Sequence, residues 1–345
     1  MSDFICSSFE LLATDLGYPE GPVYLDDGSL LLVEIKAQQL TRIYPDGKKD
    51  IVAPISGGPN GTAIGPDGHA YICNSGGFDW MPVPLKNQTL YIGMDTPPSY
   101  KGGSIDKVDL KTGKVTTLYT ECNKGMRLNP ATMQWQEQTF EHPFKLKGPD
   151  DIVFDETGGF WFTDWGKSTP LSRDITGIYY AAADGSTITQ MAFPLNAPNG
   201  IALSPDGKRL YTIETYTGRL LYWELSAPGK IAHNPANFDG FYQLHKFDGQ
   251  AIFDSMAVDV EGNLYIATML PEGNNPQTNG SISVISPQGN LLETIEIKRP
   301  DGLFAPLPSN ICFGGDDNKT AYITLGASGG VVTAKMKVPG LALAY

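Results

Sequence analysis

Cysteine, histidine and basic residues are all scarce in this chain of 345 residues, and each shortage removes a class of function. The four cysteines (Cys6, Cys73, Cys122, Cys312) show no CxxC spacing and are too few to staple so long a chain. They read as buried free thiols rather than as disulfides or a thiolate metal site. The four histidines (His69, His142, His233, His245) share no position in the repeat described below, so a histidine acid/base scheme finds no support. Lys and Arg number 25 against 38 Asp and Glu, and the net charge of -13 disfavours nucleic acid and anionic membrane surfaces. No apolar run approaches the roughly 18 residues of a membrane span. The opening MSDFICSSFE has neither a basic n-region nor an apolar h-region, so a cytoplasmic protein is expected. No Walker or dinucleotide motif stands in a strand-to-helix context. A GxSxG run at Gly326-Ala327-Ser328-Gly329-Gly330 leads into the strand-like VVTAKMK, whereas a nucleophile elbow leads into a helix. It reads as a hairpin turn.

What the chain does contain is a nine-residue phrase in six copies, each beginning with Glu, Asp or Asn. The copies start at Glu20 (EGPVYLDDG), Asn60 (NGTAIGPDG), Asp150 (DDIVFDETG), Asn199 (NGIALSPDG), Asp254 (DSMAVDVEG) and Asn310 (NICFGGDDN). Their first positions lie 40, 90, 49, 55 and 56 residues apart, the range of propeller blades rather than of short solenoid repeats. Past each Asp/Gly-rich turn comes a second apolar run, such as LLLVEI, AYICN, FWFTD or RLYTIE. These runs are rich in β-branched and aromatic residues and too short for helices, so they read as strands joined by tight hairpins. Six units of about four antiparallel strands predict an all-β, six-bladed β-propeller. Phe9 to Ala13 is a plausible outer strand that completes the sixth blade and closes the ring, which removes exposed sheet edges. With 41% apolar and 18% charged residues, residues 1–345 are expected to form one soluble domain.

The longest gap carries two segments without the phrase, 78–99 and 121–147, expected as insertions on blades two and three around one mouth. Trp80, Met81, Met126, Met133, Trp135 and Phe140 make them apolar for loops, which suits either a lid over a pocket or mutual packing.

The first residue of each phrase enters the innermost strand, so the six converge near the axis at one mouth. A second polar ring reads one strand further along: Glu34, Asn74, Asp164, Glu214, Thr268 and Thr324. Two carboxylates about 6 Å apart repel by about 3 kcal/mol at an effective dielectric near 20. The three in the first ring therefore either take up protons or hold a cation. Carboxylate plus amide is the donor set of hard divalent ions, Ca²⁺ first, with Mg²⁺ or Mn²⁺ next. Asn-Gly and Asp-Gly are also ordinary turn formers, but the position bears a side-chain oxygen six times in six.

Four motifs together, YPEGPVY around Glu20, GPDDIVFDETGGFWFTDWG around Asp150, APNGIALSPDGKRLYTIET around Asn199 and FDSMAVDVEGNLYIA around Asp254, span most of the chain. With them the sequence resembles the SMP-30/gluconolactonase/luciferin-regenerating-enzyme-like family, nearest its bacterial drug-responsive lactonase branch. The resemblance implies a single divalent metal, Ca²⁺ favoured with Zn²⁺, Mn²⁺ or Mg²⁺ as alternatives, held by Glu20, Asn199 and Asp254. It also implies Asp150 as a fourth ligand, where many members have Asn, with Ser255 following Asp254 as in the lactonase branch. Asp151 is expected to point away if the strand alternates. Family members often carry an Arg-x-Asn segment directly before the third-blade motif; here Arg127-Leu128-Asn129 is distant from Gly148, which leaves Arg127 without a substrate role.

Such a site polarises a lactone carbonyl and stabilises the oxyanion formed as water attacks. A carboxylate must take the proton from water, and Asp254 is expected to be both ligand and base. Asn60 and Asn310 are expected as metal-water contacts, substrate hydrogen-bonders or plain wall, with Asp164 and Glu214 behind them. The expected activity is hydrolysis of a lactone or cyclic ester, a small-molecule substrate, by a monomer or small homo-oligomer. The alternatives are a metal-dependent phosphotriesterase or fluorophosphatase on the same scaffold, and a non-enzymatic interaction module.

Overall fold

The computed structural model describes residues 2–248, 251–269 and 278–345. Among them there is no helix, and the strands form six larger sheets, antiparallel but for one parallel contact in the third, and two separate hairpins. The sheets are the six blades, and each phrase forms an innermost strand: Pro19–Tyr24, Pro59–Ile64, Pro149–Phe154, Pro198–Leu203, Ile252–Val258 and Pro308–Gly314. These six touch their neighbours in order, and the sixth touches the first, which closes the ring. Glu10–Ala13 pairs with Gly330–Lys335 and supplies the outer strand of blade six, as expected. The GxSxG run turns the chain between Thr320–Leu325 and Gly330–Lys335, a hairpin as read from the sequence.

Each phrase ends in a tight turn because its last residue adopts a left-handed backbone. That residue is Gly in five copies, for example Gly28 (φ 83°), and Asn318 (φ 52°) in the sixth, the other residue type that visits this region readily. Carboxylates of the turn, such as Asp27 Oδ1 on the Ser29 N–H (3.1 Å) and Asp155 Oδ1 on the Thr157 N–H (2.9 Å), fix its geometry. The second strands that follow are buried throughout, as in Leu30–Glu34 and Gly159–Asp164. Aromatic side chains fill the wedge between blades: Tyr71, Phe154, Phe160, Phe162 and Tyr179 pack between blades two and three. Burial of each such side chain contributes roughly 1.5–3 kcal/mol.

The two insertions go to different places. Trp80–Pro84 and Thr89–Gly93 form a separate hairpin that reaches from blade two across the mouth; Trp80 packs on Tyr18 (ring centroids 4.9 Å) and the Tyr91 N–H bonds Ala327 O (3.0 Å). Glu121–Asn129 and Gln134–Lys145 instead extend the outer edge of blade three beside Ile188–Leu195. There Trp135 stacks on His233 of blade four (3.9 Å), and Arg127 lies between the rings of Phe140 and Phe193 while bonding Gln190 Oε1. The apolar residues of this second insertion serve the flank of the propeller, and Arg127 is occupied there. A small hairpin not foreseen from sequence, Ser168–Thr169 with Ser172–Arg173, adds to the mouth from blade three. Cys73, Cys122 and Cys312 are buried, Cys6 is exposed, and all four thiols are free.

Candidate functional site

The inner ring owes its shape to a bulge repeated in all six blades. At the start of each phrase the innermost strand spends one residue more than its partner, between Glu20 and Val23, Pro59 and Thr62, Pro149 and Ile152, Pro198 and Ile201, Phe253 and Met256, and Pro308 and Asn310. A bulge re-aims side chains and breaks strict alternation. Asp151, expected to point away, is buried and lines the tunnel beneath the ring. Where Gly follows the ring position, the blades meet closely. A Cβ on Gly61 would lie 2.4 Å from Asp150 O, and one on Gly200 2.8 Å from the Met256 N.

Glu20, Asn60, Asp150, Asn199 and Asn310 are buried, and Asp254 is partly buried. The asparagines hold the carboxylates. Asn310 donates to Glu20 Oε2 (2.8 Å), which also accepts the Gly21 N–H, while Asn310 Oδ1 accepts the Ile311 N–H (2.7 Å). Asn60 donates to Asp150 Oδ2 (3.0 Å). Asn199 donates to Thr215 Oγ1 (3.2 Å) and accepts the Ser255 hydroxyl at Oδ1 (3.3 Å). Ser255 also bonds Asp151, whose carboxylate accepts the Ile152 N–H (3.0 Å) and the Ile201 N–H (3.1 Å).

Burial and like charge push the acids toward protonation. Glu20 rises well above the usual carboxylate range through burial and then the charges of Asp254 and Asp151. Asp150 rises for the same reasons, with Lys167 opposing. Asp254 is raised to about 7 by burial and by Asp151, against the Asn199 hydrogen bond. Asp151 reaches about 7 by burial alone, against its hydrogen bonds.

Two observations test whether these residues fit a cation. Asp150 Oδ1 is buried without a hydrogen-bond partner, a costly state for a carboxylate oxygen unless something positive meets it. The raised acids need either protons or a cation, and with the Asn199 amide they form an all-oxygen donor set suited to a hard ion. No three Asp, Glu, His or Cys side chains among the described residues converge into a preassembled cage, so an ion has to draw the carboxylates inward and take amide and water oxygens as well.

The second ring lies behind the first, and its members hydrogen-bond both backbone and side chains. Asp164 accepts the N–H groups of Lys147 (2.8 Å), Gly148 (2.7 Å) and Gly166 (2.9 Å). Glu214 accepts the Asn196 N–H (2.9 Å) and a two-pronged contact from Arg219 (2.8 Å each). Both acids pin the loops that deliver Asp150 and Asn199 to the axis.

Of the rim of the mouth, sequence reading singled out Trp80 in the 78–99 insertion but not Tyr18, Trp165 or Tyr216. Tyr18, Phe78, Trp80, Trp165 and Tyr216 form a chain of aromatic contacts there, and Arg173 stacks over the Tyr216 ring (3.4 Å). Buried Lys167 donates to Gly77 O (2.6 Å) beneath the Phe78 ring (4.2 Å), so it clamps the first insertion to blade three; burial lowers it to about 8. The available signal was position, since Trp165, Lys167 and Tyr216 follow the second-ring acids Asp164 and Glu214 where the strand returns to the same mouth.

The chain is 32% identical to lactonase drp35 of Staphylococcus haemolyticus over 197 residues, which are 48% of this chain and 57% of that protein. It is 25% identical to the gluconolactonase of Zymomonas mobilis over 359 aligned positions, 97% of this chain and 83% of that one. The chain thus spans little more than half the length of the staphylococcal relative. Among solved structures it superposes on a gluconolactonase of Xanthomonas campestris (TM-score 0.63, 19% identity, 95% and 89% coverage). It superposes equally on the calcium-binding protein regucalcin of Agrobacterium tumefaciens (TM-score 0.65, 16% identity, 96% and 97% coverage). The sequence model of the SMP-30/gluconolactonase/LRE-like region matches residues 18–327, and the chain belongs to that family.

Proposed function

We propose that this protein is a metal-dependent hydrolase that opens a lactone ring, a carboxylic-ester hydrolase. The observation that carries the reading is the ring of buried Glu20 and Asp150 and partly buried Asp254 with the Asn199 amide, in which Asp150 Oδ1 has no hydrogen-bond partner among the described residues. The family and the names of its lactonase and gluconolactonase members support it. Glu20, Asp150, Asn199 and Asp254 would hold one divalent cation, with Ca²⁺ favoured by the all-oxygen donor set and by the calcium-binding neighbour. When bound, the ion supplies Lewis-acid polarisation of the substrate carbonyl.

The chain's own groups do the remaining work. Asp254 is the ring acid with part of its surface open, so it is the one placed to take a proton from water. The neighbouring Asn199 amide is held in place by the hydroxyls of Ser255 and Thr215. Asn60 and Asn310 fix Asp150 and Glu20 through their N–H groups, which makes them positioning residues. The aromatic rim around Tyr18, Trp80 and Tyr216 excludes water and favours a hydrophobic lactone over a sugar lactone. A panel of sugar and alkyl lactones, assayed by pH-stat beside a paraoxon-like phosphotriester, tests the reading. Turnover of alkyl lactones above the phosphotriester is expected; turnover of the phosphotriester alone would assign the site to phosphotriester cleavage.

A further inference from the structure

Two of the three ring asparagines spend their N–H groups on the ring itself: Asn60 donates to Asp150 and Asn310 to Glu20. Asn199 donates instead to Thr215 Oγ1 (3.2 Å), a residue outside the ring. The difference matters for an amide that is to meet a cation, because only the oxygen end can ligate and the N–H end repels. With Nδ2 committed to Thr215, Oδ1 accepts the Ser255 hydroxyl (3.3 Å) on one lone pair and keeps the other.

Thr215 is itself held. Trp165 Nε1, a group that can only donate, bonds the same Oγ1 at 3.0 Å, so the hydroxyl oxygen accepts from the indole and from the amide together. Thr215 is buried, and its backbone N–H bonds Ala197 O (3.0 Å). The two residues occupy one place in the repeat, directly after the second-ring position: Trp165 follows Asp164 in blade three, and Thr215 follows Glu214 in blade four. At that place blades one, five and six carry Ile35, Met269 and Leu325, which offer no hydroxyl, and Ser75 of blade two accepts the Gly77 N–H (3.4 Å). The indole ring also packs on Phe78 (6.0 Å) and Tyr216 (5.8 Å), so the aromatic wall of the mouth reaches the amide through one hydroxyl.

Resting on the reading of Asn199 as a metal ligand, we propose that Trp165 is a positioning residue: by holding Thr215 as an acceptor, it fixes the Asn199 amide with its oxygen left for the ion. Without the indole, the Thr215 hydroxyl is free to rotate and donate, and the amide can then turn end for end. The role forms and breaks no bond to substrate.

The test is metal affinity by calorimetry, with Ca²⁺ or with whichever of Zn²⁺, Mn²⁺ and Mg²⁺ the wild type binds. Trp165→Phe keeps a ring against Phe78 and Tyr216 but removes the donor, and Thr215→Val removes the acceptor at nearly equal size. Each is expected to weaken affinity by about tenfold or more, the usual loss when a partner behind a ligand is removed. Thr215→Ser, which keeps the acceptor, should stay within twofold of wild type. In the Thr215→Val background, Trp165→Phe should cost no further affinity, because it acts through the missing hydroxyl. Affinity within twofold of wild type in Trp165→Phe, or an equal loss in both Thr215 backgrounds, would overturn the role of Trp165 while leaving the ring as a metal site. A wild-type protein that binds none of the four ions would overturn both.

Discussion

In the proposed reaction Asp254 would serve as both metal ligand and base. It is the partly open acid, and it is raised to about 7. Asp254→Asn keeps an oxygen ligand but removes the base. It is expected to leave a folded protein with weakened but measurable metal binding and with kcat lowered by about 10²–10⁴-fold, the usual worth of a general base. Calorimetric titration and pH-stat rates on the same preparation check this, and full activity would remove Asp254 from the chemistry. At this scale the sequence was informative where a side chain repeats and silent where it does not. Glu20, Asp150, Asn199 and Asp254 were legible because the phrase recurs with an oxygen at its head. Tyr18, Lys167 and Trp165 were not, because each occurs once and matters only through the three-dimensional closeness of blades.

The element that shapes the site is the bulged innermost strand. Its register shift sets where Asp150 and Asp151 fall, with Asp151 lining the tunnel beneath the ring. The close meeting of neighbouring bulges makes Gly61 sensitive. Gly61→Ala places a methyl 2.4 Å from Asp150 O and 2.6 Å from Asp151 Cα, and is expected to cost about 1–3 kcal/mol as overpacking, read by urea denaturation. Metal affinity should weaken with it, because Asp150 is the residue displaced. The second ring acts through loops. Asp164→Ala strands the N–H groups of Lys147, Gly148 and Gly166, each worth about 1–3 kcal/mol when left unpaired, so a loss of at least about 3 kcal/mol is expected. Strand boundaries and the closing strand Glu10–Ala13 were readable from the period of the apolar runs. The fate of the insertions was not: composition cannot distinguish an apolar hairpin across the mouth, such as Trp80–Pro84, from one packed on the flank, such as Gln134–Lys145.

For the whole molecule, closure into a ring concentrates negative charge on the axis of a chain whose net charge is already -13. The consequence is a pH dependence with a definite sign. Asp151 and Asp254 have native pKa values of about 7 against the usual 3.8, so between these limits the metal-free native state holds protons that the unfolded chain has lost. Stability from this source is fully present below about pH 4 and is lost as pH rises through about 7. In chelator, the thermal midpoint at pH 8 is expected to lie at least about 4 °C below that at pH 5. A divalent cation that binds the ring should erase most of the difference, because it replaces the protons. A midpoint that rises with pH in chelator would contradict the burial of these acids.

The claim on which the account turns is that the inner ring holds a divalent cation and that lactone opening depends on it. The direct measurement is the rate of lactone opening by pH-stat on chelated protein, shown free of metal by elemental analysis, before and after Ca²⁺, Zn²⁺, Mn²⁺ or Mg²⁺ is restored in turn. The account predicts that the metal-free rate falls to background and that at least one of these ions, Ca²⁺ foremost, restores it. Undiminished turnover by metal-free protein, or no turnover with any of the four ions, would contradict it.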